Sequence, residues 1–214
     1  MNKILIPNKS YRNDNTWASM VGANWLFHLR ILHPAERLTS DGSWRPVRWK
    51  EIASADIELA TASWFDVSKV QLHSGPSGDG WDREPDIGPE DVSFRAPLLK
   101  CLFEENPTTI WVGQWDGWGN FSKPKQASKL EIPSMLRSYY VVALTQTLEE
   151  NLTNCEKPDI LPDLIWDEAG TFMCVSDIDL PSTIIGCNEE IAERLLRNPA
   201  LETVRINSGA PIVI

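Results

Sequence analysis

Leu164-Ile165-Trp166, Asp167-Glu168-Ala169-Gly170 and Phe172-Met173-Cys174-Val175 follow one another in the C-terminal third of the chain. Two short apolar runs, rich in aromatic and β-branched residues, flank four turn-forming residues, and this pattern predicts a β-hairpin. Downstream, Thr183-Ile184-Ile185-Gly186 predicts a further strand. Upstream, Ser138 to Leu144 reads as a buried central strand, and Thr109 to Trp115 as a strand running into a tight loop at Asp116-Gly117. Asn188 is placed to cap a final helix, Glu189 to Arg197, with acidic residues in the first turn, arginines near the end and Pro199 beyond.

The N-terminal half has a different period. Between Asp14 and Ile31, the residues Trp17, Met20, Val21, Trp25, Phe27 and Ile31 recur at three- and four-residue intervals, which predicts a helix capped by Asp14 or Asn15. His33-Pro34 ends it, because a residue before proline is pushed out of the helical region. A turn at Ser40 to Ser43 and a shorter helix from Trp49 to Leu59 follow. The segment 74–89 holds four glycines and three prolines in sixteen residues and predicts a loop, the one candidate linker in the chain. Pro89 then opens a helix that Pro97 interrupts and that runs through Phe103. Helices first and strands later predict an α+β fold: an antiparallel sheet, N-terminal helices and the capped C-terminal helix packed on it, in a single domain 1–214.

The formal charge is -10, and it is unevenly spread: +2 over 1–70, -3 over 71–148 and -9 over 149–214. Such a surface repels nucleic-acid phosphates and anionic membranes and steers a basic protein partner toward the acidic third. No run approaches the roughly 18 apolar residues of a membrane span, and Met1 to Pro7 is too short for the apolar core of a secretory signal, so a cytoplasmic protein is expected. Cys101, Cys155, Cys174 and Cys187 show no C-x-x-C pair and read as reduced structural thiols.

The residue spacing carries no catalytic or metal signature. His28 and His33 are five apart and do not share a helical face, and no H-E-x-x-H pattern exists. His28 reads as a helix-surface or half-buried residue, and His73, beside the glycine-rich loop, is the freest of the three histidines. Asp79, Asp82, Glu84 and Asp86 are oxygen donors without EF-hand spacing, and the glycines fit neither phosphate-binding pattern. No metal and no cofactor is expected. Asp177 and Asp179, two apart, fall on one face of a strand by alternation. Ten tryptophans are the unusual component. Trp111 and Trp115 share a strand face and predict packing, whereas Trp81 and Trp118, in loops, are expected to be exposed for contact.

Several segments resemble a family of uncharacterised bacterial proteins of the actinobacterial type: Ile31-Leu32-His33-Pro34-Ala35, Val47-Arg48-Trp49, Gly80-Trp81-Asp82, Trp111 to Gly119, and the tail from Ile165 to Glu202. The tail is similar to W-x-x-D-x-x-W-C-V-x-x-E-I-D, a Y-V-G-G-S turn and L-x-x-P-x-L-E, matched here by Cys174 to Asp179, Ile184 to Asn188 and Asn198 to Glu202. Phe172 replaces the second tryptophan, and Ile185-Gly186-Cys187 departs from the glycine pair. The resemblance implies no activity.

The residues therefore predict a protein-binding domain, in its most concrete form an immunity-type protein neutralising a basic toxin domain. Its candidate contacts are Trp81, Asp82, Asp116, Trp118, Asp163, Asp167, Glu168, Asp177 and Asp179. One alternative is a hydrolase or small-molecule-binding enzyme using the 74–89 loop and the Trp115–Trp118 turn, with His73 and a carboxylate as acid and base. The other is a structural or interaction protein.

Overall fold

The computed structural model describes residues 15–68, 80–90, 94–104, 109–118, 127–132, 137–144 and 162–213. The C-terminal hairpin is present: β7 (Leu164–Asp167) pairs antiparallel with β8 (Phe172–Ser176), and β8 pairs with β9 (Ser182–Cys187). All three strands are buried along their whole length. They are covered on both faces, so each reads as a continuous apolar run rather than an alternation.

Around them an eight-stranded antiparallel sheet is ordered β10-β1-β9-β8-β7-β4-β6-β5, with β1 at Phe27–Leu32, β4 at Ile110–Trp115, β5 at Ser128–Ile132, β6 at Arg137–Leu144 and β10 at Thr203–Arg205. This is an α+β fold. The predicted hairpin and the strands at 109–115 and 183–186 lie where the sequence put them. β6 does not take the central place expected of it; it lies next to the edge strand β5, and its residues are only partly buried in alternation.

The largest departure is β1. In place of one helix from Asp14 to Ile31, the chain forms a short helix α1 (Trp17–Val21), which Gly22 ends at φ 96°, and then a strand inserted between β9 and β10. Leu29 and Ile31 serve the core on one face of the sheet, Arg30 and Leu32 the other side. A strand covered on both faces places apolar residues at odd and even positions, and such a run satisfies a helical period as easily as an extended one.

One face of the sheet carries α4 (Arg95–Phe103) and α5 (Glu189–Arg197), whose Leu98, Cys101, Leu102, Ile191, Ala192 and Leu195 pack on Ile165, Cys174 and Ile185. Pro97 does not interrupt α4, because the helix starts at Arg95 and places the proline in its first turn, where no N–H is needed. The Asn188 side chain accepts from the Ile191 N–H, the cap expected of it. The opposite face carries α1 and the segment from Ile206 to Val213 over Trp166, Met173, Val175 and Ile184. There the β9 backbone comes so close to Trp25 that a Cβ on Gly186 would sit 2.1 Å from the indole ring.

A third apolar cluster joins Leu32 to the hairpin β2 (Ala35–Leu38) and β3 (Trp44–Val47), the single turn α2 (Trp49–Ile52), α3 (Trp64–Ser68) and Trp81. The turn at 40–43 closes this hairpin, whose strands the sequence reading missed, and α2 stops well short of Leu59. Cys101, Cys174 and Cys187 are buried free thiols, and burial pushes the Cys187 thiol up to about 12. Cys155 lies outside the described residues.

Candidate functional site

β4 alternates along its length, so Trp111 and Trp115 face the same way. Trp111 stacks on Trp166 at 6.1 Å inside the core, while Trp115 ends the strand half-exposed and opens the turn Asp116-Gly117-Trp118. Gly117 lies on the Trp115 ring, where a Cβ would approach within 2.2 Å, and Trp118 meets Trp115 edge to face at 6.2 Å.

Asp163, just ahead of β7, fixes this turn from beneath. Its carboxylate accepts the Trp115 N–H at 2.7 Å and the Trp118 indole N–H at 3.2 and 3.3 Å, and its carbonyl accepts the Ser176 N–H. The side chain is sealed, with a residue exposure of 2%. Desolvation pushes its carboxyl up to about 7 against the opposing pull of the Trp115 and Trp118 donors.

Arg137, at the start of β6, closes the other side. It bridges Asp177 at 2.7 Å and Asp179 at 2.5 Å, with its guanidinium 5.5 Å from the Trp115 ring centre. Burial works against its charge, yet Asp177 and Asp179 outweigh burial and raise its pKa. Tyr139, two residues on in β6, is buried, and burial first, then the charges of Asp177 and Asp163, raise its pKa. On the rim, Asp116 accepts from Ser138 Oγ at 2.7 Å and pairs with Lys129 at 3.2 Å, and these contacts lower its pKa, the Ser138 bond most.

Five of the nine candidate residues, Asp116, Trp118, Asp163, Asp177 and Asp179, therefore meet at one end of the sheet. Asp177 and Asp179 do so from the turn after β8 rather than from a strand face, since β8 ends at Ser176. Comparison with protein-family models, curated proteins and solved structures returned no match.

The remaining candidates lie elsewhere. Trp81 is not exposed: it is 7% accessible, edge-on to Trp64 at 5.3 Å in the third cluster, because the loop folds back onto β2 through Asp82 N–H and Arg83 N–H to the Glu36 carbonyl. Asp82 secures that fold, its carboxylate accepting the Leu38 N–H at 2.9 Å. Asp167 is buried too and closes the β7–β8 turn, accepting from the Thr171 N–H at 2.7 Å and the Thr171 hydroxyl at 2.6 Å. Glu168 stands exposed at the same turn. Among the described residues, Asp163 and Asp167 turn inward, Asp177 and Asp179 pair with Arg137 and Glu168 stands exposed, so these five carboxylates do not form one free acidic face. His73 and residues 74–79 lie outside the described residues.

His28 is on a strand, where Nε2 donates to the Gly22 carbonyl at 2.9 Å. His33 is sealed: Nδ1 donates to the Asp86 carbonyl at 2.7 Å, Nε2 accepts from Thr183 Oγ1 at 3.0 Å, and Phe94 stacks on the ring at 4.7 Å. Burial lowers its pKa to about 4. Among the described residues no group of three or more histidine, cysteine or carboxylate side chains is placed to hold a metal ion, and no helix is long and apolar enough to cross a membrane. Sequence reasoning missed Arg137 and Tyr139. Their signal was faint, since Arg137 stands just ahead of an aromatic strand and its two carboxylate partners follow some forty residues later.

Proposed function

We propose that this chain is a cytoplasmic binding domain that takes a basic protein partner at the tryptophan–aspartate end of its sheet. The observation that supports this reading is the convergence of Trp115, Trp118, Asp116 and Asp179 on a sealed base made by Asp163 and Arg137. Asp179 keeps most of its surface open, at 60% side-chain exposure, and Trp118 is half-exposed beside the exposed Gly117. A half-exposed aromatic residue fixed on a buried carboxylate is the kind of anchor on which interfaces concentrate their energy, and the net charge of -10 draws a cationic partner in. An immunity-type role, with a basic toxin domain as the partner, is the specific form of this reading. The motif resemblance to the actinobacterial-type family adds no activity to it. The test is capture by the immobilised chain. The proposal expects a basic protein retained by the native chain and released by Trp118→Ala, and fails if both retain the same proteins.

A second reading, a hydrolase, draws on Asp163. Desolvation pushes the Asp163 carboxyl up to about 7, the protonation behaviour of a general acid, and because the side chain is sealed a substrate reaches it only when the Trp115–Trp118 turn opens. Screening hydrolysable esters, glycosides and phosphoesters tests it: turnover abolished by Asp163→Asn supports the reading, and turnover in neither form, or equal turnover in both, removes it.

A further inference from the structure

Arg30 is the only charged residue in β1, and its side chain is completely buried. Nε donates to Ser182 Oγ at 3.0 Å and Nη1 to the Ala62 carbonyl at 2.7 Å, with a longer contact of 3.5 Å to the Leu59 carbonyl. The guanidinium carbon lies 5.1 Å from the Trp17 ring centre and 5.2 Å from that of Trp49. All its hydrogen-bond partners are neutral, and no carboxylate of the described residues pairs with it. Glu202, which approaches Trp49, is committed elsewhere: its two oxygens accept the Trp49 and Lys50 N–H groups at 2.7 and 2.9 Å.

Two donors here lack an acceptor. Nη2 of Arg30 is buried without one, and so is the indole N–H of Trp17, whose ring flanks the guanidinium. Trp64, packed against Trp49 at 5.3 Å, has a third such N–H in the same aromatic wall. A buried cation is retained when a counter-charge meets it, and arginine stays charged at neutral pH. Indole N–H groups can only donate. A buried positive charge with spare donors, whose neutral acceptors are already in use, suits an anion.

We propose that Arg30 Nη2 and the Trp17 indole N–H hold a small monoanion, a halide or a one- or two-carbon carboxylate, as the internal counter-ion of the β1–β9 core. Burial sets the size limit, because a sealed guanidinium admits no phosphate ester or peptide carboxylate without opening the fold. The edge of the guanidinium supplies one donor and the neighbouring indole the other.

The test uses the full chain exchanged into gluconate buffer and titrated at constant ionic strength with chloride, bromide, formate or acetate. Tm and tryptophan fluorescence are followed. A saturable rise in Tm for these anions, with gluconate and sulfate inactive, is expected. Trp17→Phe keeps the flanking ring and removes its N–H, and about a tenfold weaker anion affinity is expected of it. Arg30→Met, where it folds, should show no anion dependence. Tm that follows ionic strength alone, saturation unchanged in Trp17→Phe, or anion dependence persisting in Arg30→Met would each overturn the proposal. In those cases a buried water is the partner of Nη2.

Discussion

The Trp115 N–H donates to the Asp163 carboxylate at 2.7 Å across 48 residues of sequence. The same carboxylate receives the Trp118 indole N–H, so one buried aspartate sets the shape of the turn that presents both tryptophans. Asp163→Ala removes an acceptor from two donors, one of them in the backbone, and is expected to destabilise the fold by about 2–3 kcal/mol, measured by urea denaturation.

Asp163 also makes stability depend on pH. Its folded pKa of about 7 lies above the usual carboxylate value, so the folded state binds more protons between roughly pH 4 and pH 7. Its contribution is therefore full below pH 4 and is lost as pH rises to 7. Asp163→Asn cannot titrate, so the stability of the native chain relative to this variant should fall from pH 4 to pH 8 by at most about 4 kcal/mol. A constant difference across that range would contradict the assignment. His33 has the opposite sign: its folded pKa of about 4 lies below its unfolded value, so its contribution is lost as pH falls from 6.5 to 4. The difference between native and variant separates the two.

Arg137→Met strands Asp177, whose side chain is only 13% exposed, beside the buried Tyr139. A cost of about 2 kcal/mol is expected, because a half-sealed carboxylate loses its cation. Adding Asp177→Asn should restore part of it. Paired thermal melts of the single and double variants check this.

Gly186→Ala drives a methyl into Trp25, which is pinned by its own bond to the Val21 carbonyl at 2.7 Å. About 1–3 kcal/mol of destabilisation is expected from this overpacking. Trp25→Leu in the same chain should recover part of it, seen as a rise in Tm over the single variant.

Where a segment performs one local task, its sequence states its structure. Asn188 with its acidic first turn declares α5, and Asp167 to Gly170 between two apolar runs declares the β7–β8 hairpin. Phe27–Leu32 misleads because it faces two cores at once, and the lone Arg30 within it, the one local sign of something unusual, is absorbed by a helical period. The site was half legible for a related reason. Asp116 and Trp118 are neighbours in sequence, but Arg137, Asp163 and Asp177 reach them only through the order of β6, β4, β7 and β8, which no local pattern encodes. Trp81 looked exposed because glycine and proline surround it; the backbone bonds from Asp82 and Arg83 to Glu36 fold it inward instead.

If the tryptophan–aspartate end of the sheet receives a basic protein, that protein is recoverable by its affinity for this chain. The most direct measurement is affinity capture from a lysate of the cell that makes the protein, using the native chain, Trp118→Ala and Asp179→Asn, followed by titration of whatever basic protein is retained. Asp179→Asn leaves the Arg137–Asp177 pair in place, so it changes surface charge rather than the fold. A basic partner is expected that binds the native chain at least about tenfold more tightly than Trp118→Ala and whose affinity falls as salt rises. Equal affinity for the native chain and both variants, or retention of no basic protein at low salt, would contradict it.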